Sequence, residues 1–152
     1  MAYWLMKSEP DVFSIDDLKN RPRGTEAWDG VRNYQARNFM RQMKKGDQAF
    51  FYHSSCEVPG IAGLMKVAAE AYPDPTQFDP KNAHYDAASK PEEPRWSLVE
   101  MKFERKLKRV ITLTELREHE SRLQNFRLLA RGTRLSVLPV TPAQWEYILK
   151  LE

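Results

Sequence analysis

The stretch from Trp28 to Asn38 combines residue types that could hold a flat, polar and partly anionic ligand. An indole ring such as that of Trp28 offers a face for stacking. Gly30 frees the backbone after it, and Asn33 opens a predicted helix whose first N–H groups would favour an anion. A core tryptophan followed by a helix cap explains the same residues equally simply. Both interpretations are open from this stretch alone.

Further aromatic and hydrogen-bonding residues could complete a site for a nucleic-acid base. An aromatic slot with a few polar groups can stack a base and read its edge, and a methyl group on the base adds an apolar contact. Stacking contributes about 1–3 kcal/mol per base. Trp4 and Trp145 fit the protein core better, whereas Trp28 and Trp96 lie beside loops and fit either place. The candidate aromatic residues are Trp4, Trp28, Trp96, Tyr52 and Tyr85, and the candidate polar partners are Ser8, Asn33, Gln35 and Ser54.

Catalytic chemistry would have to use His53, which stands next to Ser54 and close to Cys56. Neighbouring residues of a strand point to opposite faces, so His53 and Ser54 do not pair locally. Cys56 reaches His53 only if the chain turns there, and a Gly-x-Ser-x-Gly nucleophile elbow is absent. We therefore expect no catalytic residues. A small hydrolase using His53 with Cys56 or Ser54 stays as an alternative.

The sequence contains neither the ligand spacing of a metal site nor the motif of a nucleotide-cofactor site. Three scattered histidines (His53, His84 and His119) and a single cysteine give no zinc-ligand pattern. No glycine-rich phosphate loop is present. We expect neither a metal nor a cofactor.

Length and composition indicate one globular domain over residues 1–152. No run approaches the ~18 apolar residues of a membrane span. The single cysteine is typical of a reducing, intracellular compartment. The net charge of +3 is uneven, since residues 95–134 hold eleven Lys and Arg against five Asp and Glu. Such a segment fits a phosphate backbone as partner, and it also fits an ordinary solvated face.

The elements that must position these residues follow from apolar periodicity and capping signals. Leu64 to Ala71 could pass for a helix, but the Pro59-Gly60 turn before it favours a hairpin strand. The segment from Pro73 to Pro94 holds five prolines, which predicts a long loop that is either disordered or functional. Few crossovers favour an α+β fold with a curved or barrel-like antiparallel sheet. The predicted strands are Tyr3–Ser8, Gln48–Ser54, Ile61–Tyr72, Trp96–Leu107 and one near Leu135–Val137; the predicted helices are capped by Ser14, Asn33 (to Lys45), Thr112 and Thr141, with a helical turn or two over Leu123–Ala130.

Four motifs in register resemble the EVE domain family. They are Lys7-Ser8-Glu9-Pro10, Trp28-Asp29-Gly30-Val31-Arg32-Asn33, Phe51-Tyr52-His53-Ser54 and Pro59-Gly60-Ile61-Ala62-Gly63. The resemblance implies an α+β, PUA-like curved antiparallel β-barrel with flanking helices, related to the YTH domains that hold a methylated adenine in an aromatic cage. EVE-type domains are thought to bind modified DNA bases, particularly modified cytosines, by taking the base out of the helix. The base pocket so implied consists of Lys7, Ser8, Trp28, Gly30, Val31, Asn33, Tyr52, His53, Ser54, Gly60, Ile61 and Trp96.

The resulting hypothesis is a non-catalytic reader of a modified base, with DNA preferred to RNA as the expected ligand. We expect backbone phosphates to bind in the basic segment, at Arg95, Arg105, Lys106, Lys108 and Arg109. We also expect a monomer without membrane attachment. A nuclear family member is expected to carry a basic N-terminal extension, so a cytoplasmic location is expected here, or a nuclear one in a eukaryote. The alternatives are an RNA reader, the hydrolase above and a protein-interaction module.

Overall fold

The computed structural model describes residues 1–152, and its centre is a six-stranded sheet in the order β2-β5-β4-β3-β1-β6. β1 and β3 are parallel, and all other neighbouring strands are antiparallel. The edge strands β2 and β6 do not pair, so the sheet is open. The strands are β1 (Tyr3–Ser8), β2 (Thr25–Ala27), β3 (Gln48–His53), β4 (Gly60–Pro73), β5 (Ser97–Thr112) and β6 (Val137–Val140).

Both faces of this sheet are buried, because the central strands carry apolar residues at nearly every position. Successive side chains of a strand point to opposite faces. Met6 and Phe51 therefore belong to one hydrophobic cluster, the first core, whereas Leu5 and Phe50 belong to another, the second core. A residue's parity within its strand thus decides which core it joins.

Four helices cover the two faces: α1 (Ile15–Lys19), α2 (Tyr34–Gln42), α3 (Leu113–Glu118) and α4 (Pro142–Leu149). The first two pack on the first core and the last two on the second. Short 3-10 turns lie at Pro22–Gly24, Pro75–Phe78, Glu120–Arg122 and Arg127–Leu129. No helix is long and apolar enough to cross a membrane.

Local capping signals start these helices. Ser14 and Thr141 both form reciprocal capping boxes with the residue three positions on. Thr112 accepts the Glu115 N–H, but the Glu115 carboxylate pairs with Arg109 instead of returning to the cap. Thr112 therefore caps its helix as predicted, but without the reciprocal bond of a capping box.

The α+β class with flanking helices is confirmed, and so is the strand interpretation of residues 64–71. The predicted all-antiparallel barrel differs from the observed sheet, which is mixed and open. Strand β2 was not predicted. Helix α2 ends at Gln42 rather than at Lys45, because Met43 leaves helical geometry and the Lys44 N–H bonds to the Asp47 carboxylate. Of the helical turn or two predicted over Leu123–Ala130, the structure forms one 3-10 turn at Arg127–Leu129.

The proline-rich segment after β4 is ordered by the buried side chain of Gln77. Its amide nitrogen donates to the carbonyls of Asp74 and Trp96 at 2.7 and 2.8 Å. Its amide oxygen accepts from the Ser89 hydroxyl and from the Trp96 N–H. The segment is thereby held against the start of β5, where it can form a wall of a site.

Candidate nucleic-acid interface

A cavity of about 550 Å³, here called the first cavity, opens where β1 ends beside the turn that follows β2. That volume lies within the usual range of small-molecule sites. Five of the sequence-predicted pocket residues line it: Lys7, Ser8, Trp28, Gly30 and Val31. Residues distant in the sequence, from Val12 to Ser136, complete the lining.

The apolar wall of the first cavity is built on Trp28. The indole packs edge-to-face against Phe13, with ring centroids 6.3 Å apart, and against Phe51 at 5.4 Å. Trp28 is only 8% exposed and belongs to the first core, yet it also lines the cavity. The core and pocket interpretations of this residue are therefore compatible. Phe13 extends the wall and carries the Arg21 guanidinium over its ring.

The turn after Trp28 is fixed by the buried carboxylate of Asp74. Gly30 donates its N–H to this carboxylate at 2.9 Å, and Arg32 pairs with it at 3.1 Å. Gly30 has φ +76°, and a Cβ there would meet the Nε2 atom of His84 at 2.6 Å. The Arg32 guanidinium also donates to the His84 carbonyl and to the Thr76 hydroxyl. The proline-rich segment is thus clamped over the turn, and His84 becomes a wall of the cavity.

Asp74 is fully buried but remains charged because four donors surround it. Burial raises the pKa of its carboxyl, yet the hydrogen bonds from Thr76, Gly30 and Arg32 outweigh burial and hold the pKa below its ordinary value. Its Oδ1 accepts from the Thr76 N–H and hydroxyl, and its Oδ2 accepts from Gly30 and Arg32. This carboxylate therefore links the two segments that enclose the cavity.

Asp29 presents the one carboxyl of this turn that has no partner within the protein. It lines the cavity and makes no hydrogen bond or ion pair. Partial burial, together with the charges of Asp74 and Glu26, raises the pKa of its carboxyl. An unpartnered carboxyl at the rim can accept a hydrogen bond from a ligand's amino group.

Two predicted pocket residues, Trp96 and Asn33, lie outside the first cavity. The Trp96 ring stacks on Tyr34 with centroids 4.8 Å apart, and its Nε1 donates to Asp86 at 2.7 Å. Asn33 caps α2 by accepting the Ala36 N–H at 2.9 Å. Both side chains are thus engaged by the protein. A role for either at a base stays a prediction.

Four other predicted residues do not line the first cavity with Trp28, two of them because of strand parity. Tyr52 and Ile61 belong to the second core, on the other face of the sheet from Trp28. Gly60 allows β4 to approach β5, since a Cβ there would meet the Ile111 carbonyl oxygen at 2.4 Å. Ser54 lies just beyond β3, where its N–H donates to the Ser8 carbonyl. None of these four residues lines the first cavity.

His53 serves α1 rather than a nucleophile. Its Nε2 accepts the Ile15 N–H at 3.2 Å, and its ring packs edge-on against Phe51. Burial lowers the pKa of His53, which favours the neutral form that can accept this bond. No hydrogen bond joins His53 to Ser54 or Cys56. No group of His, Cys, Asp and Glu could hold a metal ion.

Most of the predicted phosphate contacts are already paired with carboxylates. Arg105 pairs with Glu152, Lys106 with Asp16 at 3.0 Å, and Arg109 with Glu115 at 2.6 Å. Arg95 lies 3.9 Å from Asp86, and only the Lys108 side chain has no partner. A phosphate at this strand would compete with existing pairs. Phosphate binding there stays a prediction.

Sequence reasoning missed several residues of the first cavity. Asp29 and Arg32 stand inside the Trp28 motif, so their position already marked them. Phe13 and His84 carried no local signal, because the contacts that bring them to Trp28 and Gly30 are made by tertiary packing.

The whole chain is similar to proteins of one family. The EVE domain model matches residues 2–151. Human thymocyte nuclear protein 1 is 50% identical over 167 residues, which cover 99% of this chain and 74% of that protein. The zebrafish (Danio rerio) protein of the same name is 53% identical, covering 98% of this chain and 71% of that protein.

Solved structures show the same likeness in three dimensions. A crystal structure of the human THYN1 protein in complex with 5-methylcytosine containing DNA has a TM-score of 0.95 and 51% identity, covering 99% of this chain and 97% of that one. A crystal structure of a Pseudomonas syringae protein has a TM-score of 0.94 and 53% identity, covering 99% of both chains. With its motifs, its fold and its full-length match in agreement, this chain belongs to the EVE domain family.

Proposed function

We propose that this protein is a non-catalytic reader of modified bases in nucleic acid, whose ligand is DNA that carries 5-methylcytosine. The observation that carries the proposal is the near-identical fold of the human THYN1 protein, described in complex with such DNA. One EVE domain over residues 1–152 acts as a monomer. It works in the cytoplasm, or in the nucleus of a eukaryote.

The first cavity is the proposed place of the flipped base. Its volume of about 550 Å³ exceeds what a pyrimidine needs, and it is lined by the aromatic Trp28 and Phe13 and by the apolar Val31. An apolar wall favours a base with a methyl group over one without. Lys7 and Ser8 supply polar groups to the same lining: the Lys7 ammonium is unpaired, and the Ser8 hydroxyl, which donates to the Phe13 carbonyl, keeps its oxygen as an acceptor.

Asp29 is the proposed reader of the base edge. A carboxylate accepts a hydrogen bond from the exocyclic amino group of cytosine. Thymine has the same methyl group as 5-methylcytosine but presents a carbonyl oxygen at that position, which a carboxylate would repel. The unpartnered carboxyl of Asp29 therefore favours 5-methylcytosine over thymine as the base bound in the first cavity.

The engaged state of His53 supports a binding role without catalysis, since its Nε2 already accepts a backbone N–H. A general base needs that nitrogen to be available within hydrogen-bond reach of the proton that it removes.

The test is a binding comparison on oligonucleotides that differ only in one 5-methyl group, with the wild type and Trp28→Ala. Removing the indole should bring the ratio of modified to unmodified affinity towards one, because stacking contributes about 1–3 kcal/mol per base. Trp28→Ala also removes a core side chain, at a cost of about 3–5 kcal/mol of stability. The loss of stability does not change the ratio of modified to unmodified affinity, because an unfolded fraction lowers both apparent affinities equally.

Trp96→Ala is the matched control, because Trp96 is as buried as Trp28 but lies outside the first cavity. It should keep the wild-type ratio. A wild type that does not prefer the modified strand refutes the proposal, and a ratio lost only in Trp96→Ala places the base elsewhere. The same strands made as RNA distinguish a DNA reader from an RNA reader.

A further inference from the structure

A second cavity, of about 560 Å³, adjoins the first one at Lys7, which lines both. Its other walls come from Tyr52 of β3, from α3 with Glu120 just after it, and from residues 128–133, which include the end of the last 3-10 turn. The lining contains three cationic side chains and a single carboxylate. The cations are Lys7, Arg117 and Arg131, and the carboxylate is that of Glu120. None of the three takes part in any of the ion pairs of the chain. The second cavity is therefore positively charged and unneutralised.

Lys7 is the least solvated of these cations. Its side chain is half-buried, and it has neither an ion pair nor a hydrogen bond within the protein. Burial lowers the pKa of its ammonium group. Withdrawing a charge from water without a partner is costly, and an anion placed beside it would remove that cost. An unpaired lysine between two cavities thus indicates an anionic ligand at their boundary.

Tyr52 adds a hydrogen-bond donor to the same cavity. It is the register partner of Lys7 on the neighbouring strand, and it is only 3% exposed. Its hydroxyl makes no hydrogen bond within the protein, although it lines the cavity. Burial, together with the nearby Cys56, raises the pKa of Tyr52 to about 12. The hydroxyl therefore stays protonated at neutral pH and can donate to an anion.

We propose that the second cavity holds a backbone phosphate of the strand whose base enters the first cavity, with Arg117 and Arg131 as cationic contacts, Tyr52 as a donor and Lys7 shared between the two cavities. This inference rests on the proposed function. A base and its phosphates belong to one nucleotide, so a base in the first cavity necessarily brings a phosphate close to it. The cations of β5 do not offer this arrangement, since most of them are paired with carboxylates.

The test uses Arg117→Gln and Arg131→Gln, both at exposed side chains whose loss leaves the core intact. Affinity for the modified and the unmodified oligonucleotide is measured between about 50 and 200 mM salt. Each variant should weaken both affinities and lower the slope of log K against log salt by about 1. The modified-to-unmodified ratio should stay at the wild-type value, because the phosphate carries no base identity.

Lys44→Gln is the charge-matched control, since Lys44 is exposed and unpaired and precedes β3, at the opposite end of the parallel strands from Lys7. It should keep the wild-type slope. The inference is overturned if both arginine variants keep the wild-type slope, if Lys44→Gln lowers the slope as much as they do, or if no nucleic acid binds. A modified-to-unmodified ratio of one in the wild type would instead refute the base-reading proposal, while a lowered slope would still support the phosphate site.

Discussion

Replacing the buried Asp74 by asparagine tests how the turn at the first cavity is held. Two donors converge on each carboxylate oxygen: the Thr76 N–H and hydroxyl on Oδ1, and the Gly30 N–H and Arg32 on Oδ2. An asparagine keeps one acceptor oxygen and turns the other into an NH₂ group, which is itself a donor. In either orientation, two donors lose their acceptor and face another donor.

The expected loss of unfolding free energy is about 3 kcal/mol, since each donor left unsatisfied in a buried site costs about 1–3 kcal/mol and the Thr76 hydroxyl can rotate away. For a chain of this length, 1 kcal/mol shifts Tm by about 2–4 °C, so Tm should fall by about 6–12 °C. Urea unfolding followed by circular dichroism measures the loss. Asp11→Asn, at an exposed aspartate without partners, should change stability by less than about 0.5 kcal/mol.

The contribution of Asp74 to the free energy of unfolding should decrease in acid. Because the folded pKa of Asp74 lies below its ordinary value, its contribution is present above about pH 3.9 and is lost as the pH falls through the folded pKa. The difference between wild type and Asp74→Asn should therefore be largest at neutral pH and shrink in acid. A loss below about 0.5 kcal/mol at neutral pH, or a difference that does not shrink, refutes the role assigned to Asp74.

Three further substitutions probe the site and its supports. Gly30→Ala should cost more stability than Gly46→Ala in urea unfolding, because both glycines have positive φ (roughly 1–2 kcal/mol for a side chain there) but only Gly30 has His84 at 2.6 Å from a new Cβ; equal costs contradict this. His53→Gln should flatten the loss of Tm between about pH 7 and pH 5, since the unfolded histidine protonates near 6.5 while burial lowers the folded pKa; a wild-type slope in the variant would argue against it. Asp29→Asn should reduce discrimination of 5-methylcytosine from thymine by about tenfold or more in competition binding, and unchanged discrimination assigns the base edge to another group.

Elements with a local signal could be predicted from the sequence. The capping boxes at Ser14 and Thr141, and the apolar runs of β3 and β4, depend on residues close together in the chain. Strand β2 could not be predicted, since it has three residues of mixed polarity and exists only by pairing with β5. The parallel pairing of β1 with β3 likewise depends on tertiary packing, because periodicity predicts a strand but not its partner.

The candidate site also combines residues that could be predicted from the sequence with residues that tertiary packing brings together. Lys7, Ser8 and the Trp28 turn were placed together by the family resemblance, and the structure brings them to one cavity. Tyr52 was placed beside them, but it joins the second core. Because side chains alternate along a strand, the sequence places Tyr52 and Phe51 on opposite faces of the sheet. It does not indicate which of the two residues lies on the same face as Trp28. The Asp74–Arg32 clamp spans 42 residues of sequence and left no local pattern.

The most direct test of a base in the first cavity is an NMR measurement on the complex with DNA carrying a ¹³C-labelled 5-methyl group on one cytosine. The first cavity predicts nuclear Overhauser contacts from that methyl group to protons of Phe13, Trp28 or Val31. Trp96 lies outside the cavity and should give none. Contacts only to neighbouring bases of a stacked duplex, or to Trp96 instead of Trp28, would contradict the account.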